Sequence, residues 1–336
     1  MKNNIFKKVC ASLSAVAITL TFALSPAFES TENLSENVIS ASAETSSVCT
    51  TLGLKGKYLS GQKSALKRIN QIRYEACKQG VKNPSTGKKL TLKDYVPIKW
   101  SSDLEYIART RAAEASITIN HTRLNGKDIW SVTSPNGIRS YGEVLAWNWT
   151  ESMIMGINQW YEEKSDYVHN TEGITGHYTA MIDPENKYVA VASFCSKNTP
   201  FYNTTAGEFC GDTTFDYDTF EEKKLNLNQT MGKGTGTVYK HISVSNSYIL
   251  KNYAISGVSS LKKGKKYNLA VTTSVNAGNK VNGLKTYGKI KWSSSSPKVI
   301  SVDQNGKITA RKTGSATIRA VLSNGKVCKK KIKVTK

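Results

Sequence analysis

The chain has no C-x-x-C pair and no H-E-x-x-H, so a thiol-redox centre, a zinc ribbon and a helical metalloprotease signature are all unsupported. Beyond residue 30 no run of about 18 residues is apolar, so the mature part is not expected to cross a membrane. Collagen-like repeats, coiled-coil heptads and low-complexity tracts are missing too. Histidine is scarce: His121, His169, His177 and His241 are the four among 336 residues. Acid is scarcest in one region, where residues 251–336 carry 20 Lys and Arg against a single acid, Asp303.

The 16 Tyr, 8 Phe and 6 Trp are ample for packed cores, and the length suits about two domains. Residues 1–9 are basic, and Cys10–Leu24 follow as an apolar stretch. This is the pattern of a secretory signal, with small-residue cleavage sites after Ala27 and Ala43, the latter preferred. An exported protein meets oxidising conditions, so the five later cysteines can form bridges; Cys195 and Cys210 are candidates, as are Cys49 and Cys77. Five is odd, so at least one thiol stays unpaired within the chain.

Charge divides the chain. Residues 1–43 are neutral, residues 44–250 hold 24 basic and 21 acidic groups, and nearly all of the +22 excess lies beyond. The expected organisation is a signal at 1–43, a linker at 44–60, a first domain at 61–210, a linker at 211–247 containing a flexible Gly232–Gly236 joint, and a basic domain at 248–336. The first domain reads as helices with a few strands, an α+β fold. Helices are expected over Gln62–Gly80, from Ser101 or Ser102 onward, and from about Thr150; strands are expected at Gly176–Ile182 and Tyr188–Cys195. The last domain reads as all-β, with short β-prone runs and the turn dipeptides Asn305-Gly306 and Asn324-Gly325.

Two imidazoles and two carboxylates stand out in the first domain: His121, Glu143, Glu163 and His177. They are embedded in I-K-W-S-S-D-L-E-Y-I-A (98–108), H-T-R-L-N-G (121–126), Y-G-E-V-L-A (141–146), W-Y-E-E-K-S-D-Y (160–167) and G-H-Y-T-A-M-I (176–182). In this order, over about 140 residues, these stretches resemble the CAP superfamily of cysteine-rich secretory, antigen 5 and pathogenesis-related proteins. The resemblance implies an α-β-α sandwich in which His121, Glu143, Glu163 and His177 form a cleft tetrad. It departs from the family at Val144, where Asn is usual, and at Ala180, where Gln is frequent. Imidazoles are good ligands for Zn²⁺ or another divalent ion, so His121 and His177 are the expected metal ligands, with the glutamates orienting them. The family also implies a small apolar ligand in the cleft. Catalytic residues are not assigned: a binding protein and a secreted hydrolase acting on cell-wall or peptide substrate both remain open readings.

Residues 291–320, K-W-S-S-S-S-P-K-V-I-S-V-D-Q-N-G-K-I-T-A-R-K-T-G-S-A-T-I-R-A, resemble the bacterial immunoglobulin-like group 2 (Big2) domain. The resemblance implies an Ig-like sandwich used as a surface or cell-wall appendage. Its charge attracts polyanions. An anionic cell-surface polymer bound through residues 248–336 is therefore the expected partner. Nucleic acid is not expected, since the chain reads as exported and shows no base-reading motif. The expected location is extracellular or cell-wall associated.

Overall fold

The computed structural model describes residues 48–215, 219, 221–224 and 228–336. The expected signal peptide at 1–43 lies outside the described residues. The first half comprises β1 (Cys49–Tyr58), α1 (Gln62–Gln79), β2 (Lys99–Trp100), α2 (Ser102–Thr118), β3 (Gly142–Asn148), α3 (Met153–Glu162), α4 (Lys164–His169), α5 (Gly176–Ile182), β4 (Tyr188–Cys195) and β5 (Asn203–Cys210). Then come β6 (Thr213–Phe215), β7 (Glu222–Lys224) and β8 (Val238–Ser245). The second half is all strand: β9 (Ala254–Ser256), β10 (Ser260–Lys262), β11 (Lys266–Asn268), β12 (Ala270–Asn276), β13 (Lys280–Thr286), β14 (Ile290–Ser294), β15 (Ile300–Val302), β16 (Lys307–Ala310), β17 (Gly314–Leu322) and β18 (Val327–Thr335).

Local chemistry explains the helix ends. Gly80 closes α1 in the left-handed conformation, φ 64°, its N–H returning to Ala76 and Cys77. Ser101 caps α2 by accepting the Leu104 N–H, and Ser152 caps α3 by accepting that of Met155. The sheet between the helices is read off β3. Val144 and Ala146 face one core with Ile69, Trp160, Tyr178 and Phe209; Leu145 faces the other with Ala112, Ile117 and Ala206. Alternate residues of a strand point to opposite faces, so helices cover both sides, α1, α3 and α5 on one and α2 on the other.

The largest sheet has nine strands and runs β3-β5-β4-β1-β13-β12-β9, with β2 on β4 and β8 on β1. It crosses from the helical region into the all-β region through β1, which pairs with β8 from Cys49↔Ser245 to Gly56↔Val238, with β4 at Lys57↔Cys195, and with β13 at Leu52↔Thr286. The core beneath it is shared: Leu52, Leu54, Ala112, Phe194 and Ala206 pack with Val244, Val275, Val281 and Leu284. A register shift between Thr273 and Val275 re-aims β12. Val271 therefore enters the sandwich core while Val275 enters the shared one. The sandwich itself closes between β10-β18-β17-β14 and β11-β16-β15 around Ile300, Ile308, Ile318 and Ile332.

Three expectations are corrected. The stretches 44–60 and 211–247, read as linkers, contain β1 and β8, the strands that join the two regions. The Gly232–Gly236 joint is tied down: Glu105 accepts the Gly232 N–H at 2.9 Å, Arg109 donates to the Lys233 carbonyl at 2.6 Å, the Thr235 N–H donates to the Tyr58 carbonyl at 2.9 Å, and the Tyr58 N–H donates to the Thr235 hydroxyl at 3.1 Å. A Cβ on Gly234 would lie 2.5 Å from the Ser60 nitrogen, so glycine serves close approach there. Gly176–Ile182 is a helix, not a strand. Tyr178, Met181 and Ile182 are its buried positions, a helical spacing of three and four.

Candidate functional site

The site is built as two histidine–carboxylate pairs. His121 follows α2 in a tight turn in which Ile119 adopts φ 54°, an unusual conformation for a β-branched residue. Arg111 donates to the His121 carbonyl at 2.9 Å, and the His121 ring Nδ1 lies 2.7 Å from Glu143 Oε1. The imidazole side chain is 45% exposed and the carboxylate 2%, so the pair runs from the interior to the surface.

The second pair is His177 with Glu163, at the junction of α3 and α4. Glu163 Oε1 bonds the ring Nδ1, and Oε2 accepts the backbone N–H of His177 at 2.9 Å and of Tyr178 at 3.1 Å. One carboxylate thus orients the imidazole and satisfies two orphan donors at the start of α5. In the neutral ring an Nδ1–H that donates to carboxylate leaves Nε2 as the acceptor. Neither Nε2 has a hydrogen-bond partner among the described residues.

The four predicted residues form two pairs, His121 with Glu143 and His177 with Glu163. The elements carrying them touch, α5 against β3 and α3 against both. No hydrogen bond joins one pair to the other among the described residues. Nor do three or more His, Cys, Asp or Glu side chains converge there to cage an ion. Each pair presents one carboxylate-backed imidazole, and nothing among the described residues assembles them into a closed structural zinc site. Among the described residues no Ser, Thr or Cys side chain bonds either imidazole, so neither pair is assembled as a nucleophile–base dyad. Two surface hollows of about 550 and 560 Å³ include none of the four side chains: Leu66, Tyr74 and Tyr95 line one, and Tyr161, Tyr167 and Val168 the other.

Behind His121 stands a buried charge network. Arg111 donates from Nε to Glu143 Oε2 at 2.5 Å and from Nη1 to Glu114 at 2.6 Å, and Arg123 holds Glu114 from the other side at 2.7 and 3.0 Å. Burial by itself would lift the Glu143 carboxyl, but the Arg111 charge and the His121 contact outweigh it and hold it at about 2. Glu208 sits directly opposite Glu143 across the β3–β5 ladder. Burial, reinforced by the Glu143 charge, pushes Glu208 well above the usual carboxylate range. Arg111, Glu114, Arg123 and Glu208 were not singled out from sequence. Their signal was a charge set in an apolar run, R-A-A-E-A for the first two and T-A-G-E-F-C for Glu208.

The expected Cys195–Cys210 bridge is not formed, and all five described cysteines are free. Cys195 pairs with Asn203 and Cys210 with Tyr188, at opposite ends of the same hairpin. Seven strand steps span about 23 Å, whereas a disulfide needs Cα atoms within about 7 Å. His169 lies at the end of α4 with Nδ1 donating to the Ser165 carbonyl at 2.8 Å, and His241 packs on Tyr287 with ring centres 4.2 Å apart; neither joins the pairs.

Comparison with known proteins divides the chain in the same two regions. Residues 66–209 match the family model of the cysteine-rich secretory protein family, CAP, and residues 256–334 match that of the bacterial Ig-like domain, group 2. A probable pathogenesis-related protein of Candida albicans is 34% identical over 94 residues, which are 28% of this chain and 39% of that protein. The chain thus spans well under half the length of this relative. A crystallised C-terminal 282-residue fragment of intimin, in complex with the intimin-binding domain of its translocated receptor, aligns at 13% identity with a TM-score of 0.18, over 43% of this chain and 56% of that one.

Proposed function

We propose that this chain, a CAP domain carried with a group 2 bacterial Ig-like domain, is a secreted binding protein held at an anionic cell surface. The CAP domain presents two imidazole edges to a small ligand or divalent ion, and the Ig-like domain supplies the attachment. The observation that carries the binding half is the pairing of His121 with Glu143 and of His177 with Glu163, each through Nδ1. A carboxylate on Nδ1 fixes the tautomer and strengthens the outward nitrogen as a ligand or acceptor. When bound, a divalent ion would supply Lewis acidity at these edges; the chain contributes the two oriented rings and their carboxylates.

The attachment half rests on charge: 20 basic groups and one acid over residues 251–336. Lys predominates over Arg, 18 to 2 in that stretch, which suits diffuse point-charge attraction over bidentate recognition. Two measurements test the reading on the whole chain. Calorimetric titration with Zn²⁺ is expected to show about one ion per chain, lost in His177→Ala and in His121→Ala; an unchanged isotherm in both variants overturns the imidazole assignment. Sedimentation with purified anionic cell walls is expected to retain the protein at low salt and release it at high salt. Salt-independent retention removes the electrostatic attachment.

A further inference from the structure

The outward face of the sheet β10-β18-β17-β14 concentrates the charge. In β18, Cys328, Ile332 and Val334 point into the sandwich, and Lys329, Lys331 and Lys333 point out. Cross-strand register adds Arg319 opposite Lys329, while Lys291 lies opposite Val321 and Lys262 opposite Thr335 on the same outward face. All six cations are exposed, and among the described residues no hydrogen bond or ion pair engages their side chains. The one acid of the domain is elsewhere, in the β15–β16 turn, where Asp303 accepts the Asn305 and Lys307 N–H groups at 2.9 Å.

Like charges directly opposite on a sheet are destabilising, so the Arg319–Lys329 pair costs the fold something it could avoid with a neutral residue. Along β18 alternate residues are about 6.6–6.8 Å apart, which sets the three lysines in a straight row at that interval. Between the cations stand Ser260, Ser293, Ser315 and Thr317, hydroxyl donors of the same face. The face has no aromatic side chain, so it lacks the stacking platform that single-stranded nucleic acid uses.

We propose that this face binds an extended polyol phosphodiester, a linear polyanion with one phosphate per short carbon unit and no bases. The row of lysines runs along the polymer, Arg319 and Lys291 flank it, and the hydroxyls donate to phosphate oxygens. This rests on the surface-attachment reading and gives it a face and a chemistry.

The test uses the whole chain and a synthetic poly(glycerol phosphate). Replacing Lys329, Lys331 and Lys333 by Gln is expected to weaken binding about tenfold or more at low salt and to reduce the log–log salt slope by about 2–3, close to one per lost contact. The charge-matched control replaces Lys266, Lys307 and Lys312, exposed residues on β11, β16 and the following turn; it is expected to lose under about threefold, being off the row. Unchanged melting temperatures show that both variants remain folded. Equal losses in the two variants overturn the face and leave attachment by net charge standing. Tighter binding of single-stranded DNA or polyglutamate than of poly(glycerol phosphate) overturns the polymer class. A wild type that stays on whole walls yet ignores poly(glycerol phosphate) overturns the phosphate chemistry alone, and one that binds neither removes the attachment reading with it.

Discussion

Arg111 is the residue on which the His121 pair depends. Its guanidinium is fully buried and divides its donors among Glu143, Glu114 and the His121 carbonyl. Removing one partner of a buried ion pair leaves the others uncompensated, so Arg111→Met is expected to destabilise the protein by about 3–5 kcal/mol in urea unfolding. Glu208 acts in the opposite sense. Its raised folded value means that the native state keeps a proton the unfolded chain has already released. The stability tied to that proton is complete below the ordinary glutamate range and is lost as pH rises toward and through the folded value. Urea midpoints of wild type are therefore expected to fall from pH 5 toward pH 8 through this group, and Glu208→Gln is expected to flatten that fall. A variant whose midpoints track wild type at every pH disproves the assignment.

Helix α5 shows how tertiary contacts decide a short element. Its seven residues, G-H-Y-T-A-M-I, carry Tyr, Thr and Ile, which favour strands, and no side-chain cap precedes them. What makes the segment helical is remote in sequence: Glu163 receives its first backbone donors, and Tyr178, Met181 and Ile182 fill the core under α1 and α3. The longer helices α1, α2 and α3 were readable because period and capping agree within each segment. The four site residues were readable through the family's motifs, while the Arg111 network was not: only Arg111–Glu114 has a helical i,i+3 spacing, and the contacts to Arg123 and Glu143 bridge residues far apart in sequence. Packing also governs Gly156 of α3. A Cβ there would lie 2.6 Å from the Thr205 side chain on β5. Alanine normally stabilises a helix relative to glycine by about 1 kcal/mol, but Gly156→Ala is expected to destabilise by about 1–3 kcal/mol because α3 must be pushed off the sheet. A raised melting temperature would show that the helix has room to move.

The two regions are coupled through β1, a segment whose sequence, C-T-T-L-G-L-K-G-K-Y, is interrupted by Gly53, Lys55, Gly56 and Lys57, which hide its role. Its pattern alternates Leu52 and Leu54 with Gly53, and a long-range partner, β8, lies almost 190 residues onward. Proximity in sequence gives no hint of that pairing, which is why 44–60 and 211–247 read as linkers. Leu52 and Leu54 are fully buried in a core to which both the helical region and the sandwich contribute. Leu52→Ala is therefore expected to cost about 2–5 kcal/mol and to lower the unfolding of both regions together. Calorimetry of the whole chain would then show one main transition that shifts as a unit. Gly53 adds to this coupling, since its missing Cβ leaves room for the Tyr287 hydroxyl, which would otherwise be 2.7 Å away. A thermogram with two separate peaks, only the first of them moved by Leu52→Ala, would show instead that the shared core does not bind the two regions into one cooperative structure.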